Sequence, residues 1–271
     1  LINRFFPKIT PFSWFSLTNF LIAKPGIFQE LSDQTVSVVI AAKDEKGNID
    51  ELINRIPDMG KGTEIVFVEG HSSDGTYDKI KESIKSLSNK NCKLFKQKGV
   101  GKGDAIRTGF EHSSGEILMI LDADITVDPE DLKRFYQVLK SGKGEFVNGV
   151  RLVYPIQNEA MKFINLIGNK FFALAFSWLL GQPIKDTLCG TKVFFRKDYK
   201  KILKNRDYFG DFDPFGDFDL LFGAAKLNLK IVELPIRYKA RKYGNTNISR
   251  WKHGMLLLRM IFFAARRIKF Y

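Results

Sequence analysis

The sequence predicts an α/β fold with a mostly parallel sheet flanked by helices, and three observations carry that prediction. Short apolar runs without alternation, VSVVI (36–40), EIVFVE (64–69) and EILMILDAD (116–124), read as strands buried on both faces. Helical spacing of apolar residues follows each of the first two runs across a turn rich in capping residues. Strand, loop, helix repeated in that order is the pattern of a parallel sheet, whose ligands bind at the carboxyl ends of its strands.

Taken in order, residues 1–34 are aromatic-rich and broken by Pro7, Pro11 and Pro25. They read as an extension that packs on a neighbour, a membrane surface or an upstream domain. After the strand at 36–40, Ile49, Leu52, Ile53 and Ile56 mark a helix. After the strand at 64–69, HSSDGT opens the helix TYDKIKESIKSL. KGVGKGDAIRTGF (98–110) is a glycine-rich loop before a helix, which offers backbone N–H groups and a positive dipole end to anions. It matches neither a Walker loop nor a Rossmann fingerprint, and a plain surface loop is the rival reading.

The 116–124 strand delivers Asp122 and Asp124 at its end, with small Ala123 between. Alternation along an extended chain puts both carboxylates on one side, an arrangement suited to a hard divalent cation completed by substrate phosphates. An exposed acidic turn capping the next helix, at Asp128-Pro129-Glu130, is the plainer alternative. Glu45 and Glu69 are further acids near strand ends, each readable singly as solvated or capping charge. EFVNGVRL (145–152) is a short strand carrying Arg151 outward. Residues 161–180 form a long apolar helix whose Gly168, Asn and Lys residues favour a buried or interfacial position over a membrane span. KDTLCGTKVFFR (185–196) is a turn and strand with Asp186 and Lys192 as its polar groups of interest. Asp217 and Asp219 precede a helix, where N-terminal capping competes with a chemical role.

Charge is unevenly spread. The net charge is +13, yet no acidic residue follows Glu233, while Lys and Arg occur ten times there. The ending HGMLLLRMIFFAARRIKFY interleaves these cations with apolar residues, which reads as an amphipathic helix on an anionic membrane surface or a core helix with a solvated rim. A nucleic-acid module would instead need a polar groove with stacking aromatics, so nucleic acid is not expected as a partner. Cys92 and Cys189 stand far apart in no metal-ligand spacing and fit a reducing compartment. The start of the chain has no leader layout and no Met, so a fused or neighbouring upstream domain is expected.

These motifs, in this order, resemble a family 2 glycosyltransferase of the GT-A fold. They are most like the dolichol-phosphate mannosyltransferase and polyprenyl-phosphate glycosyltransferase branch. The resemblance covers about 36–247 and rests on VSVVIAAKDE, EIVFVEGHSSDGT, KGVGKGDA, LDAD and IVELPIRYKARKYGNTN. Departures are Ala41 for Pro, Lys43 for Tyr, Glu69-Gly70 for paired aspartates and Asn247 for Lys. The resemblance implies a nucleotide pocket of Ala41, Lys43, Glu45, Val68, Glu69, Lys102, Asp104, Asp122 and Ala123. It implies Mg2+ or Mn2+ on Asp124 with help from Asp122, and phosphate contacts from Arg151, Lys192 and Arg241.

The expected reaction is inverting transfer of a sugar from a UDP- or GDP-sugar to a dolichyl or undecaprenyl phosphate, at the cytoplasmic face of a membrane. The alternative acceptor is a sugar hydroxyl of a polysaccharide or glycolipid, for which Asp217 or Asp219 would serve as base. The expected organisation is an extension (1–34), a catalytic domain (35–250) and a terminal amphipathic helix (251–271).

Overall fold

A computed structural model describes residues 12–15, 23, 30–87, 89–151, 163–204, 216–244 and 250–270, with backbone alone at 163–167 and 250–253. Its centre is a sheet of β1 (Val36–Ala42), β2 (Thr63–Glu69), β3 (Asn91–Lys96), β4 (Ile117–Ile120), β5 (Phe146–Val150), β6 (Lys192–Phe195) and β7 (Ile231–Pro235). The strand order is β3-β2-β1-β4-β6-β5-β7. β1 pairs parallel with β2 and β4, β2 with β3, and β5 with β7. β6 alone among them runs antiparallel, wedged between β4 and β5.

Helices cover both faces: α1 (Ile49–Arg55), α2 (Thr76–Ser86), α3 (Lys102–His112), α4 (Leu132–Lys140), α5 (Phe163–Leu180), α6 (Arg196–Lys204), α7 (Asp217–Lys226) and α8 (Arg250–Ile268). Alternate residues of β1 feed two cores, which is why its sequence lacks polar alternation. Val36, Val38, Ile40 and Ala42 join Leu52 and Ile53 of α1 and Phe135 and Leu139 of α4. Val39 joins Ile106 and Phe110 of α3, Phe176 of α5, Phe218 of α7 and Leu257 and Met260 of α8.

The expected α/β class and C-terminal helix are present. β3 and α6 are elements the sequence reading did not anticipate. β3 is an edge strand whose ends are exposed and whose middle is half-buried, so its apolar signal is weak. The α5 helix begins at Phe163, and Met161 and Lys162 of the expected span lie outside the described residues, as do residues 205–215 and 245–249 with Asn247. Of the aromatic N-terminal stretch, Phe12–Phe15 form one turn with Trp14 and Phe15 exposed. Among the described residues, no helix is long and apolar enough to cross a membrane.

Candidate active site

β4 stays bonded to β1 as far as Leu121, whose N–H donates to the Val39 carbonyl at 3.1 Å. The chain then leaves the sheet and turns sharply at Ile125, a β-branched residue held at φ 52°. Such strain persists only where surrounding contacts impose it. Here Asp124 imposes it, since its Oδ1 accepts from Thr126 N at 3.1 Å and Thr126 Oγ1 at 2.8 Å. Asp122 and Ala123 sit at the same strand tip, Ala123 buried and Asp122 reached by Lys102 Nζ at 2.5 Å.

Lys102 is the first residue of α3, placed by the glycine-rich loop. Asp104 fixes that loop by accepting the Gly99 N–H at 3.0 Å, and Gln97 Nε2 donates to the Gly101 carbonyl at 2.7 Å. Asp104 therefore braces the loop's backbone. Gly190, in the turn before β6, closes the site from the other side. A Cβ there would lie 2.6 Å from Lys102 Nζ and overlap the Asp122 carboxylate.

Burial works to raise the Asp122 carboxyl, but the Lys102 ammonium, with Lys192 and Arg151 beyond, holds it below the usual carboxylate range. Burial likewise works against the Lys102 ammonium, and the charges of Asp122, Asp217 and Asp124 hold its pKa above the ordinary lysine value.

The second carboxylate meets a different cation. After β7, Tyr238 bridges to Val127 and Lys239 N–H donates to the Thr126 carbonyl at 2.9 Å, which carries Arg241 across the strand tips. Arg241 Nη2 donates to Asp124 Oδ2 at 2.8 Å and its Nη1 to Glu45 Oε1 at 2.9 Å. Burial pushes the Glu45 carboxyl up to about 7, with Arg241 opposing and Asp124 adding to the rise.

Glu45 is fixed by a second interlock, between the loops after β1 and β2. Asp44 N–H donates to Ser72 Oγ at 3.0 Å, Glu45 N–H to Thr76 Oγ1 at 3.0 Å, and Lys46 N–H to Asp74 Oδ2 at 3.1 Å. Glu69 is buried and accepts the Ser72 N–H at 2.5 Å. These capping residues, visible in the sequence as a turn, hold the pocket's rim together. Lys43 is exposed on it and Ala41 half-buried beneath, whereas Val68 is wholly buried near Gly109 of α3.

The remaining cations expected to meet phosphates are turned into the protein. Lys192 is 0% exposed and donates to Asp217 Oδ1 at 2.9 Å and to the Cys189 carbonyl at 2.5 Å. Arg151 folds back onto Asp186, Nε to Oδ2 at 2.7 Å and Nη2 to Oδ1 at 2.8 Å, with its guanidinium over the Tyr238 ring. It is not carried outward as the strand pattern suggested. Asp217 reaches the cluster, but Asp219, two residues on and about 200° round the helix, lines a groove between α3, α6 and α7 with Arg107 and Lys226. Gly190 and Tyr238 escaped the sequence reading, the former signalled only by its place in LCGT.

Among the described residues, no group of three or more His, Cys, Asp or Glu is placed to hold a metal ion. Asp122 and Asp124 are nonetheless hard oxygen donors on one strand tip. That set suits an octahedral ion that keeps one or two carboxylates and takes its other ligands from substrate phosphates and water.

Comparison with known proteins gives this arrangement a family. The chain is 25% identical over 224 residues to the glycosyltransferase AglJ of Haloferax volcanii, covering 82% of this chain and 69% of that one. It is 30% identical over 230 residues to a dolichyl-phosphate beta-glucosyltransferase of Trichomonas vaginalis, covering 79% and 68%. It is 32% identical over 229 residues to an undecaprenyl-phosphate 4-deoxy-4-formamido-L-arabinose transferase of Edwardsiella ictaluri, covering 83% and 65%. The chain thus spans about two thirds of the length of these relatives.

Glucosyl-3-phosphoglycerate synthase of Mycobacterium tuberculosis, solved with Mn2+, UDP-glucose and phosphoglyceric acid, shares the fold. Its TM-score is 0.63 at 18% identity over 87% of this chain and 80% of that one. The model of glycosyl transferase family 2 matches residues 37–203, so the chain belongs to that family and is a glycosyltransferase.

Proposed function

We propose that this glycosyltransferase moves a sugar from a nucleotide-diphosphate sugar to a polyprenyl phosphate at a membrane surface. Relatives named for dolichyl phosphate and undecaprenyl phosphate support the acceptor class. The observation that carries the choice is the state of Asp217, which is committed to buried Lys192 at 2.9 Å. A sugar hydroxyl needs a carboxylate within hydrogen-bond reach to take its proton, and Asp217, with Oδ1 accepting from Lys192 and only 6% of its side chain exposed, does not present one. A phosphate oxygen is already ionised near neutral pH and needs none.

In this reading the acceptor oxygen bonds to the anomeric carbon as its bond to the diphosphate breaks, and attack from the opposite face inverts the centre. The chain's own task is then to hold two anions in line. Lys102 and Arg241 flank the diphosphate position, and the Asp104-braced loop at the start of α3 adds backbone N–H groups. Arg151 and Lys192, already paired, shape the floor and lend it positive potential rather than direct contact. Mg2+ or Mn2+, on Asp122 and Asp124, would supply Lewis-acid charge to the departing diphosphate. Glu45, Glu69 and exposed Lys43 border the nucleoside side of the cleft.

Membrane apposition is supported by Met255, Leu258 and Phe262 exposed on α8 and by Phe171 and Leu174 exposed on α5, a helix that packs against α8. Arg259, Arg266 and Arg267 add cations on the same helix, where no acid lies in the first turn. This suits the anionic cytoplasmic leaflet.

A panel of UDP- and GDP-sugars with and without Mn2+, read by thermal unfolding, tests the donor half. The true donor at a hundred times its dissociation constant adds about 2.7 kcal/mol of stability. Absence of stabilisation by every nucleotide refutes the reading. Transfer of labelled sugar to undecaprenyl phosphate but not to a soluble glycan distinguishes the acceptors.

A further inference from the structure

Each acid at the β4 tip is held by a cation that the chain itself supplies. Asp122 is bound by Lys102 at 2.5 Å, and Asp124 by Arg241 at 2.8 Å. The two cations come from unrelated places, the start of α3 and the strap that follows β7. The strap is tied down across the strand tips by Lys239 on Asp128 at 2.7 Å, Lys242 on Glu51 at 3.4 Å and Tyr243 Oη on Asp74 at 3.3 Å. The Tyr243 ring packs on Gly47, where any Cβ would come within 2.9 Å of it. Arg241 is thus presented to the metal-binding carboxylate by a braced segment.

We infer that Lys102 and Arg241 are built-in counter-ions which a divalent metal must exchange, and that the incoming diphosphate takes them up. Metal and nucleoside diphosphate then bind as a coupled pair. This rests on the glycosyltransferase reading above and adds a mechanism for loading its donor. The charge balance gives the reason. Among the described residues, Glu45, Asp122, Asp124 and Asp217 share the cluster with Lys102, Lys192 and Arg241, while Arg151 is balanced by Asp186. A dication arriving alone would leave the Lys102 ammonium beside it without Asp122, and the Arg241 guanidinium beside it with Glu45 but without Asp124. A dication arriving with a diphosphate offers those two groups phosphate oxygens, to which guanidinium bonds bidentately and ammonium as a point charge. Both cations are about a quarter exposed, at 26% and 28%, so each can swing outward to a ligand.

The test is equilibrium binding. Free Mn2+ is followed by its electron paramagnetic resonance during titration of the whole chain, with and without saturating UDP, and with GDP in parallel. The expected result for the unaltered chain is Mn2+ affinity raised at least tenfold by the preferred nucleotide. Reciprocity requires Mn2+ to tighten that nucleotide by the same factor.

Arg241→Gln should tighten Mn2+ several-fold in the absence of nucleotide and cut the coupling factor toward one. Lys102→Met should do the same from the other carboxylate, and it serves if the strap variant fails to fold. Arg241→Lys, whose single ammonium cannot hold Asp124 and Glu45 together, should fall between. Unchanged or weakened nucleotide-free Mn2+ binding in both variants, with coupling intact, overturns the exchange and leaves the donor reading standing. A chain that binds neither UDP, GDP nor Mn2+ overturns the donor reading itself, and the exchange with it.

Discussion

Replacing Lys192 by Met separates a floor-building lysine from a phosphate-binding one. Lys192 has no exposed surface, and its ammonium is shared between Asp217 at 2.9 Å and the Cys189 carbonyl at 2.5 Å. Methionine fills similar volume, so the packing change is small. The electrostatic change is large, because Asp217, itself 6% exposed at its side chain, keeps a charge with its partner gone. Removing one member of a buried pair costs about 3–5 kcal/mol. At roughly 2–4 °C per kcal/mol for a domain of this size, the unfolding midpoint should fall by on the order of 10 °C. Thermal unfolding followed by circular dichroism measures the midpoint, and urea unfolding gives the free energy. Adding Asp217→Leu to Lys192→Met should recover most of the loss, and the double-mutant cycle isolates the pair from each residue's other contacts. A Lys192→Met chain within about 0.5 kcal/mol of the unaltered one would refute the buried pair and return Lys192 to the phosphate-binding role that the sequence suggested.

Two stability predictions concern the sheet far from the ligands. Glu64 accepts from Ser37 Oγ at 2.5 Å, Lys93 Nζ at 2.7 Å and Ser114 Oγ at 2.8 Å, and from the Ser114 N–H. Burial works to raise its carboxyl, but these donors hold it down at about 2. Its folded value lies below its unfolded one, so the contribution is complete above about pH 4.5 and is lost as pH falls toward 2. Discounted for screening around half-exposed Lys93, that is roughly 2 kcal/mol. Urea midpoints between pH 6 and 2.5 should therefore fall more steeply for the unaltered chain than for Glu64→Gln. In α3, a Cβ on Gly109 would overlap Val39 and press on Val68 at 3.3 Å. Gly109→Ala should cost about 1–3 kcal/mol despite alanine's better helix propensity, and Val39→Ala in the same chain should restore part of it, by urea unfolding.

The strands buried on both faces were legible because apolar runs without alternation have few other uses. β3 was not, since it pairs only with β2 at the sheet's edge and carries Asn91, Lys93 and Lys96 among half-buried Cys92, Leu94 and Phe95. An edge strand presents one open flank to water and has no need of a continuous apolar run. α6 hid for a related reason. RKDYKKILK is dense in charge, and Asp198, Tyr199 and Ile202 are its buried residues.

The site was legible as a set of residues but not as a set of pairings. Spacing puts Asp122 and Asp124 at a strand tip, and the family resemblance then assigns Arg151, Lys192 and Arg241 to phosphates. What decides otherwise is β6, whose antiparallel insertion between β4 and β5 no local pattern announces. It brings the turn holding Asp186, Cys189 and Gly190 against the ends of its neighbours. Arg151 thereby finds Asp186, 35 positions away, and Lys192 finds Asp217, 25 positions away. The outcome is a division by burial. Lys192 and Arg151 keep 0% and 13% of their side chains exposed, while Lys102 and Arg241 keep 26% and 28%. Unpairing a buried cation carries a desolvation penalty that no passing ligand offsets, whereas a quarter-exposed one is partly hydrated already and can trade a carboxylate for a phosphate. Among these basic residues, water contact in the folded protein therefore separates those that frame the cleft from those that can turn to the substrate.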